Sequence, residues 1–145
     1  MSAAIARPLT GDRRTRTLLI ANAAFAAVSA LACLLAVASP ALLLPDAGAG
    51  ADFYAEAYAA RQLPLSAAIL LLVATGRRRG LLPLLAVSAV AQLGDALLGI
   101  THGNPGMTIG ATVGTALHLA GARRLGRAER SGVIRSVPPR TVHVE

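Results

Sequence analysis

The chain has no lysine and no tryptophan, and its aromatic residues other than histidine are two tyrosines and two phenylalanines. A water-soluble core of ordinary size is normally anchored by large aromatic side chains, so such a core would have to be built here almost wholly from Ala, Leu and Val. The single cysteine, Cys33, excludes an intramolecular disulfide, a CxxC redox pair and a cysteine-based zinc site. It sits in an apolar run and reads as a small packing residue. Charge is also scarce. Charged residues make up 14% of the chain and hydrophobic ones 54%, where a soluble domain averages about 25% charged. There is no GxSxG, no phosphate loop and no pair of catalytic carboxylates. The histidines give no haem pair, because His102 and His118 lie 16 positions apart, roughly 24 Å along a helix. No cofactor and no metal site is expected, and the balance leans away from an enzyme.

What is present is length of apolar chain. Four segments are long enough to cross a hydrocarbon core of about 30 Å: Thr17–Ala38, Tyr54–Thr75, Leu81–Ile100 and Pro105–Ala122. The sequence therefore predicts an all-α fold, a four-helix transmembrane bundle. Residues 1–16 form a polar arm, 17–122 the membrane domain, and 123–145 a basic tail that starts as a helical extension and ends disordered near Pro138-Pro139. Ala36-Val37-Ala38 has the look of a signal-peptidase site, but the run before it exceeds the roughly 7–15 residues of a signal h-region. It reads as a retained membrane helix.

Punctuation between the segments is clear. Pro45 and the glycines at 48 and 50 break the chain after the first span, and Asp52 is placed to cap the second. Pro64 falls within that second span and is expected to kink it. Gly80 is expected to separate the Arg77-Arg78-Arg79 cluster from the third span. Asn104 followed by Pro105 is a strong start for the fourth.

The charges set an orientation. The net charge of +7 comes from 14 arginines against seven acids, and 13 of the arginines fall in the arm, the 77–79 turn and the tail. With four spans those three segments share one side. The positive-inside rule puts them, and both termini, in the cytoplasm of a bacterial inner membrane. Their partners are then anionic lipid headgroups and not nucleic acid.

Polar side chains within the spans carry the functional expectations, because a bilayer makes them costly. Arg61 is 14 residues from the cytoplasmic end of the second span, and Asp95 is 14 residues from that of the third. Both stand roughly 21 Å above that boundary, so an Arg61–Asp95 ion pair is expected in the outer leaflet. Tyr54, Tyr58 and Gln92 fall on the same faces and complete a polar cluster, either structural or binding a polar headgroup or small ligand. Asn22 and His118 each stand five residues from a cytoplasmic end and form a second polar level. Gly106, Gly110 and Gly114 recur every four residues and suit close packing against the bundle, a homodimer mate or another protein. Thr108, Thr112 and Thr115 are expected to bond their own helix carbonyls.

The layout, with Arg61 at the outer start of the second span and Gln92-Leu93-Gly94-Asp95 in the third, resembles the uncharacterised small four-helix bacterial membrane proteins grouped with the DoxX-like families. Some members of that group are linked to redox or quinone chemistry, for which this chain lacks paired cysteines and haem ligands. Size and span count are also similar to small multidrug transporters, but the essential glutamate of their first span has no counterpart here. The expected role is a non-enzymatic accessory or scaffold protein, or one that binds a lipid headgroup. The alternatives are a small-solute or proton-linked transporter using Asp95, and a lipid- or quinone-directed membrane enzyme.

Overall fold

The computed structural model describes residues 13–40 and 50–135. The polar arm before residue 13, the loop around Pro45, Asp46 and Gly48, and the tail beyond residue 135, with its expected disordered end at Pro138-Pro139, lie outside the described residues. Four helices follow one another: α1 (Arg13–Ala38), α2 (Ala51–Ala74), α3 (Arg78–Thr101) and α4 (Pro105–Arg135). Among the described residues three helical stretches are long and apolar enough to cross a membrane, namely Arg13–Ala38, Asp52–Ala74 and Arg78–Thr101.

The two turns that connect α2, α3 and α4 are built alike. At each, a glycine just past the helix takes a left-handed backbone, Gly76 at φ 67° and Gly103 at φ 63°. A β-carbon makes that conformation costly. Arg77 N–H then donates to the Leu72 carbonyl at 3.0 Å, and Gly76 N–H to Val73 at 3.2 Å. Asn104 and Gly103 repeat the pattern onto Gly99 and Ile100 at 2.8 and 3.2 Å. Both are Schellman closures, which satisfy carbonyls that a helix end would otherwise leave bare. The chain break therefore falls at Gly76; Gly80 lies within α3. Asn104 starts α4, its Oδ1 accepting from Met107 N–H at 3.0 Å. Asp52 does not cap α2. Gly50 holds that position without a side-chain bond, and Asp52 lies in the first helical turn, where its charge still favours the helix dipole. Pro64 lies inside α2, which continues through it as one helix.

The helices run up and down around a ring. Within the described residues α1 touches α2 and α4, and α3 touches α2 and α4, with the closest packing inside the α1/α2 and α3/α4 hairpins. This brings Arg13, Arg14 and Arg16 to the same end as the 77–79 cluster and Arg123, Arg124, Arg127 and Arg130. Asp52 and Glu56 mark the other end. The basic end is filled by an apolar plug of Leu19, Ile69, Leu81, Leu85, Ala122 and Leu125. Large apolar side chains also cover the outside, among them Ile20, Val28, Leu31, Leu71, Val90, Leu97, Ile109 and Val113. An outward-facing apolar surface of this extent belongs in lipid and not in water.

Candidate functional site

Two polar layers cross the bundle above the plug. The upper one is centred on Arg61 of α2 and Asp95 of α3. Arg61 Nη2 donates to both Asp95 oxygens, at 2.6 and 2.7 Å. The Asp95 side chain is only 3% exposed, whereas that of Arg61 is 42% exposed. The buried acid thus reaches an edge of the bundle through its partner. Tyr58, one turn from Arg61, places its ring 5.4 Å under the guanidinium carbon, a cation–π distance. Tyr54 stacks on Tyr58 with centroids 6.5 Å apart and planes within 10°. Its hydroxyl donates to Met107 Sδ at 3.4 Å.

Gln92 stands apart from this group. It is buried, but neither Arg61 nor Asp95 is its hydrogen-bond partner; its amide lies instead against Gly114 of α4. Cys33 of α1 was missed as a member of the upper layer. Its thiol is fully buried and within electrostatic reach of both Arg61 and Asp95. Counting residues up α1 from Thr17 would have put it about 24 Å above the boundary, close to the level of the ion pair.

The lower layer joins α1 to α4. Asn22 Nδ2 donates to the Leu18 carbonyl at 2.8 Å and to the Leu117 carbonyl at 3.1 Å. Those two bonds fix which end of the amide is the oxygen. Asn22 Oδ1 then accepts from His118 Nδ1 at 2.7 Å. The imidazole hydrogen therefore sits on Nδ1, and Nε2 has no hydrogen-bond partner among the described residues. Phe25 meets the His118 ring edge-on, with centroids 5.5 Å apart. About two turns nearer the basic end, Arg124 Nε donates to Thr15 Oγ1 at 3.3 Å.

Each of these interhelical bonds links one hairpin to the other. Apolar packing holds α1 to α2 and α3 to α4, and polar contacts tie the two pairs together. Such bonds are worth roughly 0.6–2 kcal/mol apiece in a bilayer, and their direction gives the bundle a single register.

The glycine stripe of α4 is divided. A β-carbon on Gly114 would meet Phe25 Cζ at 2.6 Å, so that position is packed shut. Gly106 and Gly110 are exposed, and Gly110 has nothing within 4 Å of such an atom. Close approach of α3 and α4 is made at Gly99, whose β-carbon would lie 2.7 Å from Thr108 N. Thr108, Thr112 and Thr115 donate to the carbonyls of Asn104, Thr108 and Ala111 at 2.7–2.9 Å. Among the described residues no three His, Cys, Asp or Glu side chains converge to hold a metal ion. No known family model matches the chain, and no curated protein or solved structure is similar to it.

Proposed function

We propose that this is a bacterial inner-membrane protein that crosses the bilayer four times, with the basic end and both termini in the cytoplasm, and that it binds an anionic lipid headgroup at Arg61 without chemically altering it. The fourth crossing is Pro105–Ala122. It is more polar than the others, but α4 packs closely on α3, and its threonines spend their hydroxyls on their own backbone. Membrane partners are thus lipid on every side, with room for a second copy or another protein beside Gly106 and Gly110.

The observation that carries the headgroup reading is the way Arg61 spends its donors. Only Nη2 serves Asp95. Nε and Nη1 have no hydrogen-bond partner among the described residues, and the side chain is 42% exposed. An arginine held by a buried acid and by Tyr58 is pre-oriented, so little freedom is lost when a phosphate takes the remaining donors. In the proposed orientation Arg61 stands in the outer leaflet, below the headgroups, where arginine extends outward along its stem.

The test is lipid retention. Wild type reconstituted with a mixture of phosphatidylglycerol and phosphatidylcholine, then stripped in mild detergent, is expected to keep phosphatidylglycerol preferentially. Arg61→Gln is expected to lose that preference. Equal retention of the two lipids by wild type and variant would remove the headgroup role and leave a scaffold.

A transport reading is favoured by one observation, the nearly complete burial of the Asp95 carboxylate beside a single cation. It requires that Asp95→Asn abolish pH-dependent flux into proteoliposomes. Flux unaffected by that change takes Asp95 out of the mechanism.

A further inference from the structure

Between the two polar layers the interior holds Ala26 and Ala89 together with buried polar side chains. Ser66 of α2 is 1% exposed and Ser88 of α3 is 2% exposed. Neither hydroxyl has a hydrogen-bond partner. This is unusual within this molecule. The hydroxyls of Thr17, Thr75, Thr112, Thr115 and Ser131 all donate to a carbonyl one turn back on their own helix. Ser66 and Ser88 do not use that ready partner. Gln62 and Gln92 are buried beside them in the same two helices.

A hydroxyl buried without a partner costs about 1–3 kcal/mol, and the described residues hold two of them, Ser66 Oγ and Ser88 Oγ. The heights of the buried polar residues along the bundle axis form a graded series. Counted from the basic boundary at 1.5 Å per residue, Asp95 stands at roughly 21 Å and Gln62 at roughly 20 Å. Gln92 follows at roughly 16 Å, Ser66 at roughly 14 Å, Ser88 at roughly 10 Å and His118 at roughly 8 Å. The series ends at the leucine plug, which fills the last stretch to the basic end.

We infer that this series marks a shaft of bound water, entered beside Arg61 and Asp95, lined by Gln62, Ser66, Ser88 and Gln92, and stopped at His118 by the apolar plug. The ligand class is water, since the site offers several polar partners to each molecule and buried waters normally have about three. Its consequence is one-sided proton access. His118 Nε2 takes and returns protons through the end opposite the arginines, and the plug closes it to the basic end. The ionisable groups facing the shaft are Cys33 from α1, Tyr58 and Arg61 from α2 and Asp95 from α3; Arg124 of α4 lies beyond His118 toward the plug. The inference stands apart from the headgroup reading, because none of the four lining residues belongs to the proposed phosphate site.

Hydration is tested by magnetisation transfer from water to the full-length protein in bilayers. Ser66, Ser88, Gln62 and Gln92 are expected to receive it much faster than Leu81 and Leu85 of the plug. Transfer as slow as at the plug overturns the shaft. Ser66→Ala and Ser88→Ala give a second reading. If water bridges them, each variant melts lower than wild type and the double costs less than the sum. Unchanged or raised melting of both variants means dry, orphaned hydroxyls and also overturns it. Sidedness is read from histidine nitrogen shifts in sealed vesicles, with His102, at the turn between α3 and α4, marking the opposite end. When pH is changed in one compartment only, His118 is expected to respond together with His102. A His118 that follows the other compartment, or responds to neither, rules out the access route.

Discussion

Arg61 holds Asp95 with one nitrogen, Nη2, placed 2.6 and 2.7 Å from the two carboxylate oxygens. This is not the parallel fork in which two guanidinium nitrogens each take one oxygen, the strongest form of the pair. Neutralising a buried acid and leaving donors for something else are both served by the single-nitrogen geometry.

Removing either partner should therefore show which service dominates. Arg61→Gln strands a buried carboxylate, which is expected to cost about 1–3 kcal/mol; the figure for fully buried pairs is higher, but Arg61 is partly exposed. Asp95→Asn costs less, since Asn keeps an acceptor for Nη2. The double variant is expected to lose less than the sum in thermal unfolding. Lipid preference should vanish in both backgrounds that carry Arg61→Gln. Strict additivity of the two stability losses would show that the residues are not coupled.

The lower layer makes a sharper chemical prediction. Asn22 donates twice to carbonyls and accepts once from His118. Asn22→Asp keeps the shape but turns two donors into acceptors facing carbonyl oxygens. It is expected to destabilise more than Asn22→Ala, which forfeits about 1–2 kcal/mol of interhelical bonding. Thermal unfolding in detergent of the two variants decides it. A stability for Asn22→Asp at or above that of Asn22→Ala would mean that the contacts with the two carbonyls do not decide stability at this position.

These layers were only partly legible in the chain. Heights along a helix follow from residue counting, and counting alone put Arg61 level with Asp95 and Asn22 level with His118. The direction in which a side chain faces is another matter. In a soluble helix the apolar stripe marks the inward face. Here α1, α2 and α3 are apolar all round, so no stripe marks it. That is why Gln92 was grouped with Asp95 although its amide turns to Gly114, and why Cys33 and Phe25 were not recognised as neighbours of the polar layers. The turns were readable through Asn104 and Pro105. At the α2/α3 junction two glycines, Gly76 and Gly80, compete, and the left-handed site falls to Gly76, where Arg77 N–H closes back onto Leu72.

The proposed orientation rests on the arginines, and reporter fusions test it. A fusion after Gly80 is expected to report cytoplasm and one after Gly50 periplasm. A fusion after Arg124 should agree with Gly80 if α4 crosses the membrane. Periplasmic signal after Arg124, with the other two as expected, would leave three crossings and place α4 in the interface.

The divided glycine stripe of α4 separates packing inside the chain from contact with another. Gly114→Ala drives a methyl to 2.6 Å from Phe25 Cζ and 3.1 Å from the Gln92 amide carbon. Overpacking of this kind costs about 1–3 kcal/mol, and Phe25→Leu is expected to relieve part of it. Gly110→Ala meets nothing within the chain and should stabilise the monomer by up to about 1 kcal/mol through helix propensity. The two substitutions thus have opposite signs on a helix face where residue spacing alone makes them equivalent. If a second chain packs against Gly110, the same alanine weakens association while monomer unfolding improves. Cross-linking yield in bilayers, measured beside thermal unfolding, distinguishes the cases: a fall in yield with a gain in stability locates a partner at Gly110, and an unchanged yield leaves that face to lipid.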